Sequence, residues 1–269
     1  MHPRISLHQV AFIQESTTDF VAHCRQLGVA HMTLVSLRLM QPELVAEVRE
    51  RAEQGGPRTA TLNHPFALYP NIEEDRGAAA EGLLKAMDVA AALGTKAIYL
   101  QTGGRGGLSW EQAAARFAAL LAPARDLAAA RGMTLMIENA SAFNADIHIA
   151  HTLADTITLS EISGAGICID LQPCWAEAGL AQLFRRAMPV TGLVQVSDYV
   201  LGDRSAPCRA VPGDGAIPLE RLIGELLEAG YEGLFDLELV GPRIEAEGAL
   251  AASRRAVERL AAMLTRLGA

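Results

Sequence analysis

Four short apolar stretches of this chain end in oxygen-bearing side chains. Thr134-Leu135-Met136-Ile137 runs into Glu138 and Asn139, and Gly166-Ile167-Cys168-Ile169 ends in Asp170. Gly192-Leu193-Val194-Gln195-Val196 continues into Ser197 and Asp198, and Leu234-Phe235-Asp236-Leu237-Glu238-Leu239 carries two acids. An interior strand has no local use for an unpaired carboxylate at its end, because burying a lone charge is expensive. Laid side by side, the four stretches bring Glu138, Asp170, Gln195 and Glu238 to one rim. Three carboxylates crowded there repel one another unless a positive charge sits among them. A single divalent metal answers that need. Three carboxylates and an amide oxygen form an all-oxygen set, which favours Mg²⁺ or Mn²⁺ over the nitrogen- and sulfur-seeking Zn²⁺.

The elements that must position these residues follow from apolar periodicity and from stop signals. Strands are expected at Arg4 to Ala11, His31 to Ser36, Arg58 to Asn63, Ala97 to Gln101, Thr134 to Glu138, Ala165 to Asp170, Gly192 to Ser197 and Gly233 to Leu239. Between them the pattern predicts helices. Ser16 caps the first, which Gly28 stops, and Pro42 opens the second through Glu53. Ala80, Leu83, Leu84, Met87 and Ala91 share one face of the third, Gly77 to Leu93. Ser109 with Gln112 makes a capping box for the fourth, to Ala130. The remainder are expected over Ile147 to Ser160, Ala176 to Ala187, Leu219 to Ala229 and Glu247 to Leu267. Eight strands alternating with eight helices call for a parallel sheet. At this length they predict one domain spanning residues 1–269, a closed (β/α)8 TIM barrel. The open doubly wound alternative usually carries a GxGxxG turn after its first strand, and none is present.

Alternation along the strands gives a second test of the rim. Asp236 and Glu238 share one face, as do Gln195 and Ser197, while leucines and valines take the other. Apolar side chains belong under the helices, so the polar set is expected to point into the barrel, at the C-terminal ends of the strands where such folds place their chemistry.

Composition narrows the function classes. The 269 residues are half hydrophobic and one-fifth charged, with a formal net charge of −8. An acidic chain lacks the basic footprint of a nucleic-acid partner and does not suit an anionic membrane surface. The four cysteines, Cys24, Cys168, Cys174 and Cys208, show no CxxC spacing, which fits a reducing compartment. Met1-His2-Pro3-Arg4 opens without a signal-like apolar region, and no run is long enough to span a bilayer. The expected location is the cytoplasm.

With those residues in place, the chain resembles the xylose isomerase-like TIM barrels, the sugar phosphate isomerase/epimerase family, over nearly its whole length. Ile137-Glu138-Asn139 is similar to the first ligand motif of that family and Ile169-Asp170 to the second. Val194-Gln195-Val196-Ser197-Asp198 is similar to the strand that usually carries a histidine, with Gln195 in its place. Leu237-Glu238 is similar to the last motif. Arg209-Ala210-Val211-Pro212-Gly213-Asp214-Gly215 resembles the family's Arg…Gly-x-Gly segment. The resemblance implies one divalent metal held by Glu138, Asp170, Gln195 and Glu238. It also implies that Glu138 and Glu238 act as an acid/base pair on a substrate carbon beside a carbonyl, with the enediolate stabilised by the metal. The implied activity is isomerisation or epimerisation of a sugar or polyol ketone by a homodimer or tetramer. Two departures bear on it. The frequent Asp-x-x-His reads Asp170-Leu171-Gln172-Pro173, and glutamine replaces the metal histidine, as in some dehydroshikimate dehydratases of the superfamily. A metal-dependent lyase resembling dehydroshikimate or inosose dehydratases is therefore the alternative. A hydrolase like endonuclease IV would need several zincs and many histidines, where this chain offers Gln101 and Gln195. A non-enzymatic binding protein on a decayed barrel is the fourth reading, against which the intact acid set stands.

Several other residues sit where substrate contact or a bland structural role is expected. His8, His64 and Gln101 lie near strand ends. Trp175, just past Asp170, suits stacking on a ring or simple packing, and Arg209 suits an anionic group or solvent. His148 and His151 fall on a predicted helix and are expected on a solvated face. The glycine-rich Gly103 to Gly107 loop lacks the Lys and Ser/Thr that complete a phosphate-binding P-loop, so a flexible loop is expected.

Overall fold

Residues 2–269 are described by a computed structural model; Met1, the first residue of the stretch read above for a leader, lies outside them. Eight parallel strands pair in chain order and close on themselves: β1 Ile5–His8, β2 His31–Val35, β3 Arg58–Pro65, β4 Ala97–Gln101, β5 Thr134–Glu138, β6 Gly166–Asp170, β7 Thr191–Val196 and β8 Leu234–Leu237. β8 returns to β1 through the pairs Ser6–Asp236 and Leu7–Leu237. This is the (β/α)8 TIM barrel.

Alternation sorts each strand into two faces. Leu62, Ile98, Leu100, Ile137, Ile169 and Val194 point outward and pack beneath the helices in one continuous core. Burial of each such side chain contributes about 1.5–3 kcal/mol before conformational entropy is subtracted. Tyr99, Met136, Cys168 and Leu193 point inward and form a separate apolar plug inside the barrel. The next inward positions toward the strands' C-terminal ends are Gln101, Glu138, Asp170 and Gln195, so the plug is the floor on which the polar rim stands.

Local signals hold the helices in place. Ser16 Oγ accepts the Asp19 N–H at 3.1 Å, and Gly28 closes that helix in the left-handed region at φ 68°. Both halves of the Ser109–Gln112 capping box form at the start of helix Trp110–Ala130.

The structure departs from expectation at four junctions. β1 stops at His8 because Gln9–Phe12 turns into a 3-10 helix, whose first free amide, that of Val10, donates to His8 Nδ1 at 2.9 Å. The fifth helix starts at Leu153 rather than Ile147, because Thr152 Oγ1 caps it by accepting the Asp155 N–H. The helix expected from Ala176 starts at Leu180, behind a short helix at Leu171–Cys174. The last helix, expected from Glu247, starts at Ala249 after Gly248 at φ 90°, behind a separate short helix at Pro242–Glu247.

The glycine-rich loop is held in place by close approach of backbone. A Cβ on Gly103 would lie 1.9 Å from the Ala67 carbonyl oxygen, and one on Gly104 would lie 2.4 Å from that of Asp146. The Gly107 amide donates to Glu73 at 2.7 Å. Among the described residues no helix is long and apolar enough to cross a membrane.

Candidate active site

β5, β6 and β8 deliver Glu138, Asp170 and Glu238 to the same end of the barrel. One carboxylate oxygen from each lies within 4.8 Å of the other two. The ends of β5 and β6 are clamped by Asn139, whose Oδ1 accepts the Asp170 N–H while its Nδ2 donates to the Asp170 carbonyl, both at 2.8 Å. Gln195 lies level with Asp170 on one side and Asp236 on the other. It is fully buried, and neither atom of its carboxamide has a hydrogen-bond partner. An orphaned buried amide costs about 1–3 kcal/mol. Three converging carboxylates and an unengaged amide oxygen fit a divalent cation, with Glu138, Asp170, Gln195 and Glu238 as the residues that would hold it.

Arg209 brings a fixed positive charge to the same cluster. Its guanidinium grips both oxygens of Asp170, at 3.1 and 2.5 Å, and donates to Ser197 Oγ at 2.9 Å. Nη2 also lies 2.9 Å from Glu238 Oε2, an ion pair whose angles are not those of a hydrogen bond. The loop carrying Arg209 is organised by Asp198. That buried carboxylate accepts the amides of Tyr199, Gly213, Gly215 and Ile217, all between 2.8 and 3.0 Å. Gly215 is required there, since a Cβ would lie 2.4 Å from Asp198 Oδ1. Asp198 and Ala210 also pair as an isolated antiparallel bridge, one residue from Arg209.

His148 is the residue that sequence reasoning missed. It sits on the loop before Leu153, buried rather than solvated, with Nε2 3.7 Å from Glu138 Oε2 and Nδ1 unbonded. The signal was present: Thr152 followed three residues later by Asp155 marks a helix start, which leaves His148 upstream of the helix. His151 stays on that loop, half-buried.

Above the carboxylates opens a cavity of about 250 Å³. Gln101, His148, Trp175, Arg209 and the three acids line it. His8 and His64 do not. His8 points into the barrel, where Nε2 bonds Tyr99 Oη at 2.7 Å. His64 shares the outward face with Leu62 and instead bonds Ser36 Oγ at 2.8 Å, with Nε2 facing Gly82 of helix Ala78–Ala92. The inward residue of that strand end is Asn63, which pairs with Tyr99.

Burial and mutual repulsion shape the protonation of the cluster. Burial first, then Glu238 and Asp170, push the Glu138 carboxyl well above the ordinary carboxylate range. Burial likewise raises Glu238, opposed by Arg209. Burial raises Asp236, beneath the rim. His148 is driven down to about 3 and His8 to about 4, again by burial, so both rings are neutral. The Cys168 thiol is buried, unpaired and raised far out of the reactive range. The arrangement can therefore hold one proton among several carboxylates beside a small cavity, which is the equipment of acid–base chemistry.

The xylose isomerase-like TIM barrel family model matches residues 21–263. The chain belongs to that family. Among solved structures of the same fold, the zinc-bound IolI protein superposes with a TM-score of 0.83 at 16% identity, covering 98% of this chain and 99% of the other. D-psicose 3-epimerase, solved in the presence of D-fructose, gives 0.77 at 17% identity over 99% and 100%. The probable 3-DHS dehydratase AsbF from Bacillus anthracis gives 0.76 at 14% identity over 96% and 98%. No curated protein matches in sequence. The fold is thus shared with an epimerase and a probable dehydratase.

Proposed function

We propose that this protein is a metal-dependent isomerase or epimerase that removes the proton beside the carbonyl of a sugar or polyol ketone. The observation that carries the reading is the convergence of Glu138, Asp170 and Glu238 within 4.8 Å. A divalent ion there, Mn²⁺ or Mg²⁺, would supply Lewis-acid polarisation of the substrate carbonyl. Glu138 and Glu238 stand on β5 and just past the end of β8, with carboxylate oxygens within 4.8 Å of each other, and serve as base and acid. Their raised proton affinity suits proton exchange near neutral pH. Asp170, locked by Arg209 and Asn139, holds its place and moves no proton. His148, a buried neutral ring, stands with Nε2 3.7 Å from Glu138 Oε2. Gln101 and Trp175 line the wall where substrate lies. A lyase shares the same first step, and Gln195 in place of the histidine is the feature that favours it.

The test is deuterium uptake from D₂O into a panel of ketoses, inososes and cyclic keto acids, followed by NMR. Glu138→Gln and Glu238→Gln should each lower exchange by about 10²–10⁴-fold with the fold retained. Full exchange in both variants would remove the two-glutamate chemistry. Water loss in the product would assign the lyase.

A further inference from the structure

The charges lining the cavity do not all find partners. At its inner end three carboxylates face Arg209. With the divalent ion of the proposed function, that end would carry its own counter-charges, Arg209 and the ion against the three carboxylates. At the mouth, Asp203 is already engaged: Oδ2 pairs with Arg243 Nε at 3.1 Å and Oδ1 accepts from Ser205 Oγ at 2.7 Å. Arg204, the next residue, lines the same cavity. Its guanidinium donates only to uncharged oxygens, Tyr199 Oη at 3.1 Å and the Asp203 carbonyl at 3.4 Å. Among the described residues, no carboxylate forms an ion pair with it. A chain with net charge −8 thus presents one uncompensated cation at the entrance to its cavity. Beside it stand flat apolar walls, Phe143 and Trp175, and Phe143 is 75% exposed. A carbon skeleton bound there would cover that surface.

We infer that the substrate carries an oxyanion, a carboxylate or a phosphate, which Arg204 takes at the mouth while the hydroxy-ketone end reaches the carboxylates. The guanidinium fork matches either anion in the plane of two N–H donors. The inference rests on the α-proton chemistry proposed above for the placement of the other end. It narrows that chemistry to sugar phosphates or keto acids and sets aside uncharged ketoses.

The experiment uses the metal-loaded chain with Trp110→Phe, which leaves Trp175 as the sole tryptophan reporter. Inorganic phosphate and benzoate are titrated against its fluorescence, with benzyl alcohol as the uncharged control. At least one anion should give a saturable change that salt weakens. Arg204→Gln should lower its affinity about tenfold or more while leaving benzyl alcohol unchanged. A response to phosphate alone assigns a phosphorylated substrate, and a response to benzoate alone assigns a keto acid. No saturable response to either anion, or the same affinity in Arg204→Gln, overturns the inference. Anion binding needs no turnover, so the two readings fail separately. Anion binding with no exchange in a panel extended to sugar phosphates and keto acids removes the α-proton chemistry, and exchange of uncharged ketoses without anion binding removes the oxyanion.

Discussion

The two halves of the barrel rim are built from the same strand–helix unit and do different work. From β5 to β8 the inward rim residues are Glu138, Asp170, Gln195 and Glu238, and their charges are shared among themselves and Arg209. From β1 to β4 the inward residues near the rim are His8, Thr33, Asn63 and Gln101, none of them charged at neutral pH. The charged half faces Arg209 on a long loop, while the neutral half is tied down by bonds such as His8 to Tyr99. The difference teaches that concentrated charge at one side needs two supports. One is a counter-charge brought by a loop, and the other is a neutral wall that does not compete for it. Changes in the charged half should therefore alter chemistry, and changes in the neutral half should alter stability.

The largest expected effect tests the loop that carries the counter-charge. Asp198 accepts four backbone amides and is fully buried. Asp198→Ala strands those donors and frees Arg209 from its register. Bonds to a charged acceptor contribute about 1.5–3 kcal/mol each, with partial recovery through water. A loss of at least about 3 kcal/mol is expected in urea unfolding, together with loss of α-proton exchange. An Asp198→Ala protein with wild-type exchange would mean that the loop does not position Arg209.

A middle-sized effect belongs to the neutral half. Burial drives His64 from its ordinary 6.5 down to about 4. The unfolded chain therefore binds this proton more readily than the folded one between those values. Its contribution to stability is complete above pH 6.5 and is lost as pH falls toward 4. Between pH 6.5 and 5 this amounts to about 2 kcal/mol. His64→Gln should flatten the acid limb of the stability curve by that amount relative to wild type. The raised carboxyls of Glu138, Glu238 and Asp236 act in the opposite sense but are present in both proteins, so they cancel in the difference. Parallel acid limbs would show that His64 is not buried as a neutral ring.

The same comparison explains what could be read from the chain alone. The barrel was legible because each unit carries its own period and its own stop, as at Ser109–Gln112 and Gly28. The acids of the rim were legible because a charge at the end of an apolar run is locally unexplained. Nearness to a strand end points His64 toward the site, but parity places it on the outward face with Leu62, where it bonds Ser36. His148 falls on the helix that the apolar pattern predicts from Ile147, but the Thr152 cap starts that helix at Leu153. The ion pair of Arg209 with Asp170 joins residues 39 apart, and the unpaired state of Arg204 depends on Arg243 taking Asp203. Neither leaves a mark in local sequence, because both are settled only when loops meet over the closed barrel.

The smallest expected effect sharpens the charged half at its one uncharged member. Gln195 is level with Asp170, fully buried, and bonded to nothing in the protein. A carboxamide oxygen is a hard donor suited to Mn²⁺ or Mg²⁺, whereas an imidazole nitrogen suits Zn²⁺. Gln195→His keeps a planar side chain at the same inward position and exchanges oxygen for nitrogen. The ratio of Zn²⁺ to Mn²⁺ affinity, measured by competition on both proteins, should rise about tenfold or more, which corresponds to about 1.4 kcal/mol. The fold should be unaffected, because Gln195 gives up no hydrogen bond on replacement. A parallel Gln101→His, across the cavity on β4, should leave the ratio unchanged if the metal belongs to the charged half alone. An equal rise in both variants would show that the ion is centred over the whole rim. No rise at Gln195 would show that its amide does not reach the ion.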